Sequence, residues 1–253
     1  MTIGLDLAAL AVVFLIALRI GPLFVLAPVF GAVAIPLRVR VFLALSFALV
    51  LAAAIKPPPL ASLDPAALIV AAAGEMLLGI AFAFGMFAAF GAFLFGGRVL
   101  DLQIGFGVAS LIDPATRNQS PLLGTALNLL AVAVFFAVDA HHAVLRGLAW
   151  SLERLPPGAP LQALDGGAIA AQFGVMFAYG LMLVAPAVFA LLLLDVALAV
   201  VARTMPQMNV FIVAMPLKIV VGLLVLALSV RHMLPAMMKV FDSVPRYWER
   251  LLS

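Results

Sequence analysis

The chain has 253 residues, of which 67% are hydrophobic and 10% are charged, and its mean hydropathy is +1.29. A soluble domain of this length does not need so much apolar surface, and the apolar runs do not alternate with polar residues as the strands of an outer-membrane barrel do. The net charge of +3 comes from scattered basic residues, which predict no nucleic-acid partner, and the absence of cysteine excludes disulfides and thiolate chemistry. We therefore predict an all-α integral membrane protein with about six long apolar segments.

The first half of the chain predicts three apolar helices. The first covers residues 5–26 and should kink at its internal Gly-Pro pair. No positively charged region precedes it, so we expect this segment to be retained and not cleaved as a signal peptide. The second helix covers residues 41–55 and stops before a triple proline. The third begins after Asp64, which suits an N-cap, has Pro65 in its first turn, and runs to about Gly97.

The stretch over residues 100–121 interrupts this apolar series at mid-chain. Gly105 and Gly107 permit positive φ, and the residue before Pro114 is pushed out of the α region, so a helix is disfavoured. The first part, residues 104–112, is nevertheless too apolar for a solvated loop. A loop at membrane depth survives only where protein buries it or where it lines a cavity. We therefore predict a loop held inside a protein, with a polar turn over residues 113–120.

The second half predicts three more helices. The fourth covers residues 122–152 and becomes polar towards its end, and a Pro-Pro-Gly break at residues 156–158 follows it. The fifth covers residues 168–201 and contains Pro186. The sixth covers residues 216–234, and after Pro235 we expect a shorter tail that lies at a membrane or partner surface.

Four charged residues lie inside or close to the apolar segments, where an unpaired charge is costly. They are Arg19, Glu75, Asp195 and Lys218. Their signs balance, so we expect ion pairs within the chain or across subunits. A proton or ion relay is the functional alternative, which we favour less because burial alone already demands partners.

Asp139, His141 and His142 raise the question of a metal site or a general base. On one continuous helix adjacent histidines point about 100° apart, so only Asp139 and His142 would share a face. We therefore favour a helix-end or interface role for these residues.

No serine stands in a nucleophile motif, and the two glycines around Phe106 do not belong to a phosphate-binding loop. The sequence predicts no enzyme, no metal and no cofactor.

Several motifs, in order along nearly the whole chain, resemble those of the FliR-type export-gate family of flagellar and virulence-associated type III secretion. The segment from Pro206 to Phe211, followed by Pro216-x-Lys218, is the most specific of them. The chain departs from the commonest pattern where Met215 precedes Pro216 and where Val-Ala-Leu-Ala-Val-Val follows Asp195. The motifs are Arg19-x-x-Pro22, Ala27-Pro28, Ile35-Pro36, Arg38 to Val41, Gly74-Glu75 with Gly79, Asp101-x-Gln103-x-Gly105-Phe106, Asp113-Pro114, Ser120-Pro121, and Pro206-Gln207-x-Asn209-Val210-Phe211 with Pro216-x-Lys218.

The resemblance implies bent helical hairpins, with a FliP-like part over residues 1–157 and a FliQ-like hairpin with a C-terminal tail over residues 158–253. It implies a non-enzymatic pore and gate subunit in the bacterial inner membrane, at the flagellar basal body, with residues 100–121 as a plug loop. The implied plug residues are Ile104, Gly105, Phe106, Gly107, Val108, Leu111, Ile112, Asp113, Pro114 and Ser120. The implied buried charges and structural motif residues are Arg19, Glu75, Asp101, Gln103, Pro206, Gln207, Asn209, Phe211 and Lys218.

The implied partners are FliP-like and FliQ-like subunits in a hetero-oligomeric pore, larger export-gate and switch-type membrane proteins, unfolded secreted substrates and the lipid bilayer. The alternative is a stand-alone secondary transporter, with broken helices near Pro22 and Pro206 and a proton carried by Glu75 or Asp195. Such a transporter would show two halves of similar hydropathy. The apolar segments of this chain do not pair by length, and the export-gate hypothesis is preferred.

Overall fold

The computed structural model describes residues 7–31, 35–58, 60, 62–106, 121–161, 164–205, 207 and 209–253. Within these residues the chain is helical and contains no strand, which confirms the all-α prediction. The helices are α1 (Leu7–Leu26), α2 (Pro28–Gly31), α3 (Leu37–Ile55), α4 (Pro65–Ile104), α5 (Leu122–Ala137), α6 (Ala140–Arg154), α7 (Gly166–Thr204) and α8 (Val210–Leu251).

The length and composition of these helices suit a membrane. In the described part of the chain, five helices are long and apolar enough to cross a bilayer, or six spans result if the bent pair α5 and α6 counts as one. A helix satisfies its own backbone hydrogen bonds, which is what the interior of a bilayer requires. The prediction of about six long apolar segments therefore agrees with the structure.

Local signals set several helix ends as predicted. The carboxylate of Asp64 accepts a hydrogen bond from the backbone N–H of Ala67 at 3.3 Å, as an N-cap does, and Pro65 is the first residue of α4. At the end of α3, Lys56 adopts the left-handed conformation with φ of 50°, and its N–H donates to the carbonyl of Ala52. Helix α1 continues through Pro22 to Leu26.

Helix α4 is longer than predicted. Residues 100–104, which we assigned to the loop, are helical, and the helix ends only at Gly105, whose φ is 101°. No glycine or proline lies between Gly97 and Gly105, and Leu100 and Ile104, four residues apart, are both fully buried. Burial of this helical face offsets the polar character of Asp101 and Gln103 and extends the helix by nearly two turns.

The predicted fourth helix is wrong as one element, because it breaks at Asp139. This residue adopts the left-handed conformation with φ of 56° and ψ of 24°, between α5 and α6. Its N–H donates to the carbonyl of Phe136, and its own carbonyl accepts from the N–H of His142. Aspartate is among the few residues other than glycine that tolerate this conformation, since its short polar side chain can bond locally.

The prediction that the sixth helix ends at residue 234 is also wrong. Helix α8 continues through Pro235 and Pro245 to Leu251. Each proline removes one backbone hydrogen bond, and packing of the surrounding helix offsets that loss. The predicted surface tail is therefore the last part of a long helix.

Two compact units make up the chain. The first contains Met1–Ala88, Phe135–Gln172 and Asp242–Ser253, and the second contains Ala89–Val134 and Phe173–Phe241. Both are assembled from stretches that are distant in the sequence. The division of the sequence into residues 1–157 and 158–253 stays a prediction.

In the first unit the aromatic end of α8 is buried, which corrects the expectation that the tail lies at a surface. Trp248 stacks on Phe82 with ring centroids 4.7 Å apart, and its indole N–H donates to the Phe82 carbonyl at 3.2 Å. The hydroxyl of Tyr247 donates to the carbonyl of Ala81 at 3.0 Å. A Cβ atom on Gly85 would lie 2.6 Å from the Tyr247 ring, so this glycine makes room for the aromatic pair.

In the second unit glycines allow helix backbones to touch. A Cβ atom on Gly96 of α4 would lie 2.6 Å from the carbonyl oxygen of Gly180 of α7, and a Cβ atom on Gly180 would lie 2.7 Å from the carbonyl oxygen of Ala92. Gly97 likewise faces the backbone of Gly124 in α5. Small residues at helix contacts are typical of membrane proteins, because they let helix backbones approach closely.

Candidate functional site

The first unit contains a buried ion pair between α1 and α4. Arg19 Nε lies 2.6 Å from Glu75 Oε2, and Arg19 Nη2 donates to Glu75 Oε1 at 2.9 Å. The exposed fraction is 0% for Arg19 and 4% for Glu75. The contact is bidentate, and paired charges of this geometry form the strongest hydrogen bonds that a protein offers.

Backbone groups complete the coordination of both charges. Arg19 donates to the carbonyls of Ser151 and Leu155, each at 2.9 Å, and Glu75 Oε1 accepts from the N–H of Gly158 at 3.1 Å. The pair therefore joins α1, α4, the end of α6 and the Pro-Pro-Gly break. We call these residues the charge anchor. Arg19 and Glu75 therefore pair within the chain, which is one of the two kinds of pairing that we expected.

The geometry of the charge anchor favours a structural role over proton transfer. Both carboxylate oxygens of Glu75 bond to fixed donors, and the residue is almost inaccessible to solvent. A relay residue has to exchange a proton with a donor or with water on one side and an acceptor on the other. The arrangement instead holds four segments of the first unit at fixed distances.

In the second unit Asp101 holds the two ends of the predicted loop together. Its Oδ1 accepts from the N–H of Leu123 at 3.0 Å, and its Oδ2 accepts from the N–H of Gly124 at 3.3 Å. These N–H groups lie in the first turn of α5, where no carbonyl within the helix can accept from them. Asp101, which is 5% exposed, therefore caps a helix that begins 21 residues later. We call this contact the Asp101 clasp.

The described start of the predicted loop packs against α8. Ile104 is fully buried, and a Cβ atom on Gly222 would lie 2.6 Å from its Cδ1 atom. At Gly105 the positive φ ends α4, and a Cβ atom there would lie 3.0 Å from the sulfur of Met215. Phe106 is half-buried, as is Gln103. The remaining predicted plug residues lie outside the described residues; they are Gly107, Val108, Leu111, Ile112, Asp113, Pro114 and Ser120.

A second ion pair joins α7 to α8 in the second unit. Lys218 Nζ lies 2.5 Å from Asp195 Oδ1, and both side chains are partly exposed within this chain. In the neighbouring turn the carbonyl of Asn209 accepts from the N–H of Ile212 at 3.1 Å. Gln207 and Asn209 are exposed.

Two further predicted motif residues, Pro206 and Phe211, lie on either side of the start of α8 in the sequence. Pro206 lies outside the described residues, and Phe211 is part of α8, but its side chain is not described.

Some residues of these networks were not predicted. Gln172 of α7 is 3% exposed, and its amide donates to the carbonyl of Gly85 at 3.1 Å and to the Ser243 hydroxyl at 3.3 Å. Ser151 accepts one bond of the charge anchor through its carbonyl. A lone polar residue in a long apolar helix, such as Gln172, is a signal that sequence reasoning could have used, because such residues need partners inside a membrane. The backbone carbonyl of Ser151 gives no such signal.

The prediction for Asp139, His141 and His142 assumed a continuous helix. The break at Asp139 changes their relative directions, and one ligand atom from each residue lies within 4.8 Å of the others. The structure therefore brings together three side chains that the sequence argument separated.

Long apolar helices whose charged residues pair within the chain define it as a helical membrane protein. It matches the family model described as "Bacterial export proteins, family 1" over residues 10–244. It is 32% identical to the flagellar biosynthetic protein FliR of Bacillus subtilis (strain 168) over 243 residues, covering 94% of this chain and 93% of that protein. The chain therefore belongs to the family of bacterial export proteins to which FliR belongs.

Two further relatives show the breadth of this family. The flagellar biosynthetic protein FliR of Escherichia coli (strain K12) is 30% identical over 211 residues, which cover 83% of this chain and 80% of that protein. The Yop proteins translocation protein T of Yersinia pestis is 28% identical over 208 residues, which cover 79% of each chain. These matches confirm the resemblance stated from the motifs.

Proposed function

We propose that this chain is a pore and gate subunit of a type III protein export apparatus in the bacterial inner membrane, at the base of a flagellum. In this role the chain hydrolyses nothing. Its segment from Ile104 to Ser120 is the plug that closes the path of unfolded substrates when none is passing. Family membership supports the export function, and the Asp101 clasp is the observation that carries the gate role.

The clasp suits a gate because it joins the residues that flank the predicted plug, and the bonds that define it reach α5 and not the plug itself. Asp101 bonds to the first turn of α5, so α4 and α5 stay joined whatever path the intervening residues take. Gly105 provides a backbone position at which the chain can leave α4 in a direction that other residues do not adopt. A loop with fixed ends and a glycine exit can move aside without unfolding the helices around it.

Large apolar side chains exposed on this chain suit lipid and partner subunits. Phe42 and Val70 are each 72% exposed, and many further examples lie along α7 and α8. We infer that FliP-like and FliQ-like subunits cover part of this surface and that the bilayer covers the rest. In this assembly residues 1–157 are the FliP-like part, residues 158–253 are the FliQ-like hairpin, and the larger export-gate and switch-type membrane proteins adjoin them.

The gate role is tested by replacing residues 106–114 with a glycine and serine segment of equal length in cells that express the complete apparatus. The replacement should raise the passive leak of small ions, because the sealing side chains are lost. The matched control is the same type of replacement over residues 159–165, between α6 and α7, which should leave the leak unchanged. Normal export together with an unchanged leak in the first variant would refute the plug assignment.

A second measurement separates a gate subunit from a stand-alone transporter. A gate subunit should purify in a stable form chiefly together with its partner subunits, which mass determination of the purified complex identifies. A chain that is monodisperse and equally stable alone and with partners would contradict the proposal.

A further inference from the structure

The break between α5 and α6 gathers three side chains that can bind a metal. One oxygen of the Asp139 carboxylate lies 3.5 Å from His142 Nδ1 and 4.0 Å from His141 Nε2. The two imidazole rings are adjacent, with centroids 4.1 Å apart. All three ligand atoms lie within 4.8 Å of one another.

These separations are close to those of a coordinated ion. Zinc binds imidazole nitrogens and carboxylate oxygens at about 2.0 to 2.2 Å, so the ligand atoms of a tetrahedral site lie about 3.4 Å apart. Two of the three separations approach that value. Asp139 and His142 are more than half exposed, so rotation of their side chains can close the remaining difference at little packing cost.

The surroundings of His141 select which of its nitrogens faces the carboxylate. Its Nδ1 atom is buried and has no hydrogen-bond partner in the described part of the chain. The ring of Phe136 lies 5.3 Å from the imidazole and packs on it, and the ring of Phe135 lies at 6.4 Å. The Nε2 atom therefore points to Asp139 and is the nitrogen available to an ion.

We propose that Asp139, His141 and His142 bind a divalent first-row transition metal such as Zn²⁺. Two imidazoles and one carboxylate are the donors that these ions prefer, whereas Ca²⁺ and Mg²⁺ prefer oxygen ligands alone. Three protein ligands leave a coordination position for water or for a donor of another molecule. The ion would hold Asp139 in its left-handed conformation against the first turn of α6.

Two nearby positive charges limit the affinity. The ligands lie at the N-terminal end of α6, where the helix dipole is positive, and Arg146 lies one turn further on, with its Nε bonded to the His142 carbonyl at 3.3 Å. We therefore expect weaker binding than at structural zinc sites with four ligands.

The test uses the full chain, with any subunits that copurify, isolated in detergent through an affinity tag that contains no histidine. Zn²⁺ binding is measured by calorimetry, and Co²⁺ is titrated as a spectroscopic probe whose visible absorption reports imidazole coordination. We expect one ion per chain, with affinity reduced by at least about 10- to 100-fold in His142→Ala and in Asp139→Asn, because loss of even an outer-shell partner of a metal ligand costs that much. His232→Ala is the matched control, because His232 is the third and last histidine of the chain and is exposed in α8.

Asparagine tolerates the left-handed conformation as aspartate does, so Asp139→Asn removes the carboxylate while keeping the helix break. His142→Ala changes an exposed side chain and keeps the test valid should the other variant fail to fold. Equal affinities in the unaltered chain, His142→Ala and Asp139→Asn would overturn the proposal. Loss of affinity in His232→Ala alone would also overturn it. So would a stoichiometry far below one ion per chain.

Discussion

Substitution of Glu75 by glutamine is the sharpest structural perturbation available in the charge anchor. The carboxylate accepts from Arg19 at 2.6 and 2.9 Å and from Gly158 at 3.1 Å, and an amide can offer only one oxygen to these donors. Its NH₂ group would face other donors, and the buried Arg19 charge would lose its counterion. Breaking a buried pair from one side costs about 3 to 5 kcal/mol, which is a large share of the stability of a typical domain.

The assay is thermal unfolding of the purified complex, followed by circular dichroism, with the amount of chain in the membrane as the cellular measure. The double variant Arg19→Met with Glu75→Leu removes both charges together and should lose less stability than the two single variants combined, by at least about 2 kcal/mol. It will not match the unaltered chain, because the carbonyls of Ser151 and Leu155 lose their donor.

Asp242→Asn is the matched control for this experiment. Asp242 and Arg246 form an exposed pair with 3.8 Å between Arg246 Nη2 and Asp242 Oδ2, and exposed pairs contribute about 0 to 1 kcal/mol. A loss of stability in Glu75→Gln no larger than that in Asp242→Asn would contradict a buried ion pair. The same holds if the losses in Arg19→Met and Glu75→Leu add up to the loss in the double variant.

Substitutions at three other contacts, two of them with a matched comparison variant, test the packing separately. Asp101→Ala should cost about 1 to 3 kcal/mol, because it leaves two buried N–H groups of α5 without an acceptor, and Asp101→Asn should cost less; unfolding midpoints that do not differ would contradict the clasp. Gly79→Ala should destabilise the chain strongly, because its Cβ would meet the Arg19 carbonyl, whereas Gly174→Ala, with nothing within 4 Å of the new atom, should be neutral or stabilising by up to about 1 kcal/mol. Trp248→Ala should cost about 3 to 5 kcal/mol by opening a cavity beside Phe82, and a loss below about 1 kcal/mol would show that this side chain is not packed as described.

The sequence was sufficient to predict features that one kind of interaction determines. Long apolar runs fixed the existence of α1, α3, α4 and α7, since no other regular structure satisfies its backbone in a bilayer. Charges of balanced sign inside or close to apolar segments predicted ion pairs, and two such pairs are present, one of them buried. The N-cap at Asp64 follows from chemistry within a single turn.

The sequence was not sufficient where local helix preference and tertiary packing favour different structures. Proline at residue 235 is unfavourable within a helix, yet packing keeps α8 continuous beyond it. The hydrophobic pattern around Asp139 predicts a continuous helix, yet this residue adopts a left-handed conformation in the folded chain. Both the continuity of α8 and the break at Asp139 depend on contacts with distant segments, and the hydrophobic pattern of the sequence gives no information about those contacts.

The partners of the charged residues were unpredictable for the same reason. Balance of sign did not determine that Arg19 pairs with Glu75 while Lys218 pairs with Asp195. Asp101 was assigned to the interrupted stretch but lies in α4, and its acceptor role at Leu123 and Gly124 required the folded arrangement of α4 and α5.

The measurement that tests the gate most directly is disulfide trapping of a stalled export substrate. The chain contains no cysteine, so Leu111→Cys in the predicted plug provides a single thiol on this subunit. A substrate with one cysteine, stalled in the channel, should form a disulfide adduct with Leu111→Cys and none with Phe42→Cys, a position that is 72% exposed on α3. Absence of an adduct at Leu111→Cys while export of the same substrate proceeds normally would contradict the account.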